Sequence, residues 1–303
     1  MASVAVVIPA YNAAKTIGET LRSLVSQTYP DFEAVVVDDG SSDCTAHIAA
    51  SVADARIRVL RTTNGGVSAA RNRGIRVTES EYVAFLDADD LWHPEKLARQ
   101  VAAMQSAPSF GMCVTGSIRI DDCGRDMGTM PLRTTDRPGE ALLLNSMIVG
   151  CLSSGMVRRA VLDDVGWFDH RFSQAADFDL WLRLSTATGF LVLPEPLVRY
   201  RSAPGNMSSD PALLERDTFS VLDAFFARPE AAPYNGLRRR SYGAHWLFCS
   251  GSYLHAGRRS DAVRCLWNAL QAHPSTLRGP LGLPMRRMRR RLGRPASDVG
   301  PRH

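Results

Sequence analysis

The chain has 303 residues, of which 45% are hydrophobic and 22% charged. That balance excludes a disordered chain and leaves enough apolar side chains for one large α/β core, with or without a helical annex. The formal net charge is +5, yet Arg278 to His303 alone carries eight Arg and one Asp, a net of +7 against −2 on the rest. The body therefore lacks the electrostatic footprint of a nucleic-acid binder, and no nucleic acid is expected as a partner.

No apolar run reaches the length of about 18 residues that a membrane-spanning helix needs. The first strand-like run, Val4 to Ile8, has no basic segment before it, so a secretory leader is not expected. Cys44, Cys113, Cys123, Cys151, Cys249 and Cys265 are scattered without a C-x-x-C pair. Neither a disulfide framework nor a thiolate metal centre is expected, and the cytosol is the simpler compartment.

In chain order, Val4 to Ile8 is a continuous β-branched run closed by Pro9, as a strand buried on both faces requires. Ile17, Leu21, Leu24 and Val25 then share one helical face, with Thr16 and Glu19 spaced as a capping box. Phe32 to Val37 predicts a second buried strand, followed by the turn Asp38-Asp39-Gly40-Ser41-Ser42-Asp43 and a short helix. Arg56 to Leu60 predicts a third strand, Val67 to Val77 a helix and Tyr82 to Leu86 a fourth strand. Pro94 opens the next helix, which carries Leu97, Val101 and Met104.

This alternation predicts an α/β fold built on a mostly parallel sheet with helices on both faces. Ligands bind such sheets beyond the carboxyl ends of the strands. Tyr11-Asn12, Asp38-Asp39 and Asp87-Ala88-Asp89-Asp90 each follow a strand, so they are expected on one edge. Further on, Met112 to Ile120 and Asp126 to Met130 predict a hairpin. Ala176 to Ser185 predicts a helix, and Phe190 to Tyr200 an extended segment interrupted by Pro194 and Pro196. The chain is expected to be helical from about Pro211.

Three acids at the mouth of a strand too apolar to be exposed repel one another and demand neutralisation. Mg²⁺ or Mn²⁺ bridging carboxylates and substrate phosphates answers that demand. The competing reading is a helix cap, by Asp90 or His93, for the helix that follows Pro94.

Here the sequence resembles the family 2 inverting glycosyltransferases, which share the GT-A fold. The resemblance is carried by Val6-Val7-Ile8-Pro9-Ala10-Tyr11-Asn12, Gln27-Thr28-Tyr29-Pro30, Glu33 through Asp43, Asn64 through Gly74 and Phe85 through Asp90. It continues in Gly166-Trp167-Phe168-Asp169 and Asp177-Phe178-Asp179-Leu180-Trp181-Leu182-Arg183. It spans about residues 4 to 208.

The resemblance implies transfer of a glycosyl group, hexosyl by default, from a nucleoside diphosphate sugar to a hydroxyl acceptor with inversion. Asp87 and Asp89 match the D-x-D of the family, in which the second acid ligates Mn²⁺ or Mg²⁺ and the first lies near the ribose. Asp39 matches the acid that bonds the nucleobase, Tyr11 the residue against the base, and Pro9 a backbone contact to it. Arg71, and less directly Arg73, lies where a guanidinium meets the phosphates. Asp177 matches the base that deprotonates the acceptor, with Asp179 as second choice or structural acid. Ala176 stands where the family has Glu, and Ser202-Ala203 follows Tyr200-Arg201 where many relatives have a His. By the same resemblance the donor is a UDP-sugar and the acceptor a saccharide, often lipid-linked, in surface polysaccharide or glycolipid assembly.

Three other readings compete. A dinucleotide oxidoreductase needs G-x-G-x-x-G after the first strand, and Pro9-Ala10-Tyr11-Asn12-Ala13-Ala14 has no glycine. A nucleotidyltransferase wants a basic glycine-rich loop near the N-terminus. A retired, nucleotide-binding scaffold would discard its catalytic acids. The resulting partition is a catalytic domain over 1–208, a helical annex over 209–277 and a basic segment over 278–303 without fixed structure. Residues 253–274 resemble one tetratricopeptide-like hairpin. Arginines interleaved with Leu281, Leu283, Met285, Met288 and Leu292 suit peripheral contact with the anionic inner face of the plasma membrane.

Overall fold

A computed structural model describes residues 3–130, 132–146, 148–202 and 210–275. It contains two compact units, Met1–Arg238 and Arg239–His303. The first unit is built on one nine-stranded sheet. Its strands are β1 (Val4–Ala10), β2 (Phe32–Asp38), β3 (Ile57–Arg61), β4 (Tyr82–Phe85), β5 (Leu91–Trp92), β6 (Phe110–Ile120), β7 (Asp126–Met130), β8 (Gly155–Arg158) and β9 (Gly189–Arg201). They lie in the order β3-β2-β1-β4-β8-β6-β9-β5, with β7 paired to β6.

The first four neighbours, β3-β2-β1-β4, are parallel, as the alternation of strands and helices predicts. Beyond β4 the sheet becomes mixed, because β8 runs antiparallel to both β4 and β6 while β6 and β9 are parallel. Every residue of β1 and β4 is buried, which explains their unbroken apolar character. The register sets Ala10 beside Asp38 and Val7 beside Phe85. The residues that follow β1, β2 and β4 therefore leave from one edge.

The helices of this unit are α1 (Ile17–Val25), α2 (Thr45–Ser51), α3 (Val67–Arg76), α4 (Lys96–Ser106), α5 (Pro138–Leu143), α6 (Arg159–Val165), α7 (Ala176–Ala187) and α8 (Pro211–Phe226). Helix α3 lies close on the sheet because residue 74 is glycine. A Cβ there would sit 2.5 Å from Cγ1 of Val7. In β9 the two prolines are absorbed by a register shift, since Thr115 faces Leu193 but Gly116 already faces Pro196. A Cβ on Gly116 would meet the Pro194 carbonyl at 2.5 Å, so the bulge depends on that glycine.

Two local expectations fail for tertiary reasons. Thr16 precedes α1 without a side-chain cap: its hydroxyl donates to the Ala13 carbonyl at 3.4 Å and the Glu19 amide goes to its carbonyl at 2.9 Å, while the Glu19 side chain pairs with Arg201 at 2.8 Å. Asp90 does not cap α4, whose first residue is Lys96 and not Pro94, whereas His93 Nδ1 accepts the Glu95 amide just before it at 3.3 Å. Its orphan amide at Leu97 donates instead to Gln27 Oε1 at 3.0 Å, and Gln27 Nε2 donates to the His93 carbonyl at 2.8 Å. A buried amide from α1's exit thus caps α4 across about 70 residues of sequence.

The contact boundary at Arg238/Arg239 differs from the 208/209 division because α8 is tied into the first unit. Asp217 Oδ2 accepts the Ser173 amide, the Ser173 hydroxyl and the Gln174 amide, each at 3.0 Å. The second unit is a hairpin of α9 (Arg238–His255) and α10 (Arg259–Ala272). Its helices are linked by Ser250 Oγ donating to the Ala262 carbonyl at 2.8 Å and Arg239 Nε donating to that of Ala272 at 3.1 Å. Among the described residues no helix is long and apolar enough to cross a membrane. Ala203 and the basic segment 278–303 lie outside the described residues.

Gln27→Ala should strand the Leu97 amide and the His93 carbonyl. It should lower the unfolding free energy by about 2 kcal/mol, read as a shift in the denaturant midpoint at constant slope.

Candidate active site

The carboxyl edge of β1, β2 and β4 gathers the predicted polar residues. Pro9 is the penultimate, buried residue of β1, and Tyr11 beyond it is 56% exposed with no strand partner. Asp39 follows β2 and is buried. Its carboxylate accepts the Gly65 amide at 3.0 Å and the Gly66 amide at 2.8 Å, and it pairs with Arg73 Nη1 at 3.0 Å. The aspartate thereby folds the glycine-rich loop back over the strand end. Arg73, a weaker candidate for phosphate contact, neutralises Asp39 and also donates to Thr62 Oγ1 at 2.7 Å.

Arg71 sits two residues earlier on α3 and points to the other side of the site. Its Nη2 donates to Asp87 Oδ1 at 2.9 Å, and its guanidinium lies 5.1 Å from the centre of the Phe168 ring. Phe168 is buried and meets Phe85 edge to face at 5.2 Å. Asn72 brackets the backbone of Phe168, accepting its amide at 3.0 Å and donating to its carbonyl at 2.8 Å. Ser68 donates to the Phe172 carbonyl at 2.7 Å. One face of α3 therefore sets both the loop after α6 and the guanidinium. Nε of Arg71 is buried without a partner, an unmet donor beside the acids.

The acids after β4 part company. Asp87 and Asp89 remain partly exposed, whereas Asp90 is fully buried. Asp90 accepts the Ser153 hydroxyl at 2.5 Å and the Arg201 amide at 2.8 Å, and Ser153 Oγ accepts the Asp87 amide at 3.0 Å. Burial, with the charges of Asp89 and Asp87 adding to it, pushes the Asp90 carboxyl well above the usual carboxylate range. Asp90 thus turns away from the acids with which its sequence position groups it: it is buried and anchors the turn. Arg201 completes the anchor, with Nε on the Asp89 carbonyl at 2.8 Å, Nη1 on that of Asp122 at 2.9 Å and Nη2 on Glu19.

Beneath the turn, Trp92 donates its indole N–H to the Ser153 carbonyl at 2.9 Å. The buried Lys96 ammonium lies 3.9 Å from the Trp92 ring and donates to Gln100 at 2.6 Å. Burial pushes this ammonium down to about 7. Among the described residues, the one trio of acidic, Cys or His ligand atoms within 4.8 Å of one another is Asp121, Asp122 and Cys123 on the β6–β7 turn. Asp121 spends its carboxylate there on the Cys123 and Arg125 amides.

Asp177 occupies the first turn of α7 after the buried Ala176, and its Oδ1 accepts the Phe178 amide at 2.7 Å. Burial raises its carboxyl above the ordinary value. The nearby Arg71 charge and the Phe178 amide act the other way, while Asp87 adds to the rise. Asp177, Arg71 and Asp87 therefore feel one another's charge. Asp179 is a structural acid: it is buried and paired with Arg183 at 2.7 Å, and Arg183 also donates to the carbonyls of Val165, Gly166 and Trp167. Trp181 and Leu182 lie in the core, as does Phe168, whereas Trp167 remains partly exposed.

Three residues of this arrangement had no role in the sequence reading. Ser153 lies in an unremarkable Leu-Ser-Ser-Gly run, and Asp217 on a helix outside the motif region. Arg201 stood inside a motif noticed only for the residue after it.

The family described as glycosyl transferase family 2 matches residues 5–166. The amylovoran biosynthesis glycosyltransferase AmsB of Erwinia amylovora is 32% identical over 212 residues, 65% of this chain and 69% of that protein. A putative teichuronic acid biosynthesis glycosyltransferase, TuaG of Bacillus subtilis, is 33% identical over 72% of this chain and 86% of its own length. An Escherichia coli protein, UDP-Glc:alpha-D-GlcNAc-diphosphoundecaprenol beta-1,3-glucosyltransferase WfgD, is 29% identical over 76% and 89%. Some relatives are longer, and the chain spans 27% and 31% of two uncharacterized glycosyltransferases from Rickettsia. In fold, the chain resembles S. aureus TarS 1-349 in complex with UDP-GlcNAc, with a TM-score of 0.59 at 21% identity over 91% of this chain and 92% of that one. It also resembles the Pyrobaculum calidifontis mannosyltransferase PcManGT in complex with GDP-Man and Mn2+, with a TM-score of 0.60 at 21% identity over 96% and 80%.

Arg201→Gln should release the Asp89 and Asp122 carbonyls and leave Glu19 unpaired. It should cost about 3 kcal/mol of folding free energy in chemical denaturation, with Arg201→Lys recovering part of that loss.

Proposed function

The chain belongs to glycosyl transferase family 2, and we propose that it transfers a hexosyl group, with inversion, from a nucleoside diphosphate sugar to a hydroxyl of a lipid-linked saccharide. The observation that carries this reading is the Arg71–Asp87 ion pair after β4, with Asp177 near enough to feel both charges and Asp89 on the same turn as Asp87. The neighbouring proteins support the donor class, since one is described with UDP-GlcNAc and another with GDP-Man and Mn2+. A UDP-sugar is the donor proposed here. The names of AmsB, TuaG and WfgD support surface polysaccharide assembly as the setting.

The residues carry distinct parts of the reaction. Asp177 takes the proton of the acceptor hydroxyl as its oxygen attacks the anomeric carbon. The bond from that carbon to the diphosphate oxygen breaks, and the nucleoside diphosphate leaves. Inversion follows from this single displacement. Arg71 faces the departing phosphates with its unpartnered Nε and holds Asp87, which lies near the ribose. Asp39, through the glycine-rich loop it folds, and Tyr11 and Pro9 on the other strand end line the base.

The carboxylate pair Asp87 and Asp89 fits a hard divalent cation, because both stay partly exposed after Asp90 has turned inward. Mn²⁺ or Mg²⁺ held by Asp89 would supply Lewis-acid neutralisation of the charge that grows on the diphosphate. The enzyme on this reading works in the cytoplasm, at the inner face of the plasma membrane, where the basic segment 278–303 meets anionic lipid.

A thermal-shift panel of nucleoside diphosphates with and without Mn²⁺ tests the donor site. A metal-dependent rise with one base is expected in the wild type and in Asp177→Asn, and its loss in Asp89→Ala. In turnover assays Asp177→Asn should lower kcat by about 10²–10⁴ with donor binding nearly unchanged. Unchanged turnover would remove Asp177 from its role.

The pH dependence has a definite sign. Because the Asp177 carboxyl is raised, kcat at saturating donor should fall on the acid side at a pH above that of an ordinary aspartate. Arg71→Met removes a charge that stabilises the ionised form, so it should move that acid limb to still higher pH.

A further inference from the structure

The charge of the chain divides at the boundary between its compact units. Arg239–His303 holds thirteen Arg and two Asp, a net of +11, whereas the first 238 residues carry 23 basic and 29 acidic side chains, a net of −6. Five of those arginines belong to the described hairpin, and Arg239, Arg240, Arg258, Arg259 and Arg264 are all exposed.

Helix α10 adds an apolar surface to this charge. Ala262, Cys265 and Ala269 form its buried stripe. Beside that stripe, Val263 is 66% exposed and Trp267 60% exposed, with Leu266 and Leu270 half-buried between. Four residues advance a helix by only about 40° beyond a full turn, so Val263 and Trp267 share a face with Leu266 and Leu270. Leu254, near the hairpin turn, is 57% exposed. Large apolar side chains in one such stripe, ringed by arginine, are a surface built for an occupant.

We infer that α10 docks, through Val263, Leu266, Trp267 and Leu270, into the headgroup region of an anionic lipid bilayer, with the arginines of the hairpin on the lipid phosphates. This extends the proposed membrane contact from the basic segment to a folded surface, and it rests on the lipid-linked acceptor only for its purpose. The charge selects the occupant. The described hairpin, residues 239–275, carries five Arg and one Asp, a net of +4, so two copies paired through it would oppose like charges, which disfavours a dimer. A nucleic acid would satisfy the arginines and leave Val263, Leu266 and Leu270 in water. A bilayer satisfies both, since tryptophan and aliphatic side chains enter the interface while arginine stays at the phosphates. The first unit, at −6, would be repelled by the same surface, so attraction is confined to the second.

The test is sedimentation of the full chain with vesicles of phosphatidylcholine alone or mixed with phosphatidylglycerol. The wild type should bind the mixed vesicles and not the neutral ones, and should release them at about 0.5 M salt. Val263→Ser with Trp267→Ser, both on the surface, should weaken partitioning at least about tenfold and keep the stabilisation by nucleoside diphosphate. That second readout separates the two readings, because donor binding without vesicle binding overturns only the docking surface. Equal binding to both vesicle types would overturn the inference, as would a double variant that binds like the wild type. So would single-stranded RNA that outcompetes the vesicles, or a wild-type dimer that the double variant abolishes.

Discussion

Carboxylates at the carboxyl edge of a buried parallel sheet lose hydration, and they repel one another at a point where the backbone leaves little room to separate them. The whole site can be read as a set of answers to that problem. Asp39 is met by two amides and Arg73, and Asp87 by Arg71. Asp90 is removed from the edge and bonded to Ser153 and the backbone of Arg201. Asp87 and Asp89 stay partly exposed at the edge once Asp90 has turned inward.

The two arginines of α3 show how the helix divides this labour. Arg71 and Arg73 are two residues apart and so point roughly 200° apart, which sends one to Asp87 and the other to Asp39. The close approach of Gly74 to Val7 sets the height of α3 over the sheet. The grip of Ser68 and Asn72 on the Phe168–Phe172 loop sets its rotation. Replacing any of these contacts moves a guanidinium and, with it, the charge that Asp177 feels.

Much of this was legible in the sequence wherever local pattern and chemistry coincide. The unbroken apolar runs of β1, β2 and β4 identify strands buried on both faces, and the polar groups after them mark one edge. The D-x-D spacing and Asp177 at a helix start were equally visible. What escaped has a common physical cause, namely partners supplied across long stretches of chain. Thr16 and Glu19 have the spacing of a capping box, but a buried Arg201 offers Glu19 a stronger partner than an orphan amide does. Gln27 caps α4 from about 70 residues away, and no local rule points to it. Asp90 reads as one more acid of a cluster until Ser153 is seen opposite it.

The same division explains why Asp177 and Asp179 differ although both are acids in the first turn of α7. Asp179 faces Arg183 one turn on and is spent on holding the loop after α6. Asp177 lies where the charges of Arg71 and Asp87 reach it, its Oδ1 accepts the adjacent Phe178 amide, and burial raises its carboxyl. A carboxylate buried against its own arginine has no open face to offer another molecule. In Asp177 the rise from burial is opposed by the Arg71 charge and the Phe178 amide, so its ionisation depends on how α3 holds that guanidinium. Ala176, buried beside it, brings no charge into that balance, which burial, Arg71, the Phe178 amide and Asp87 set together.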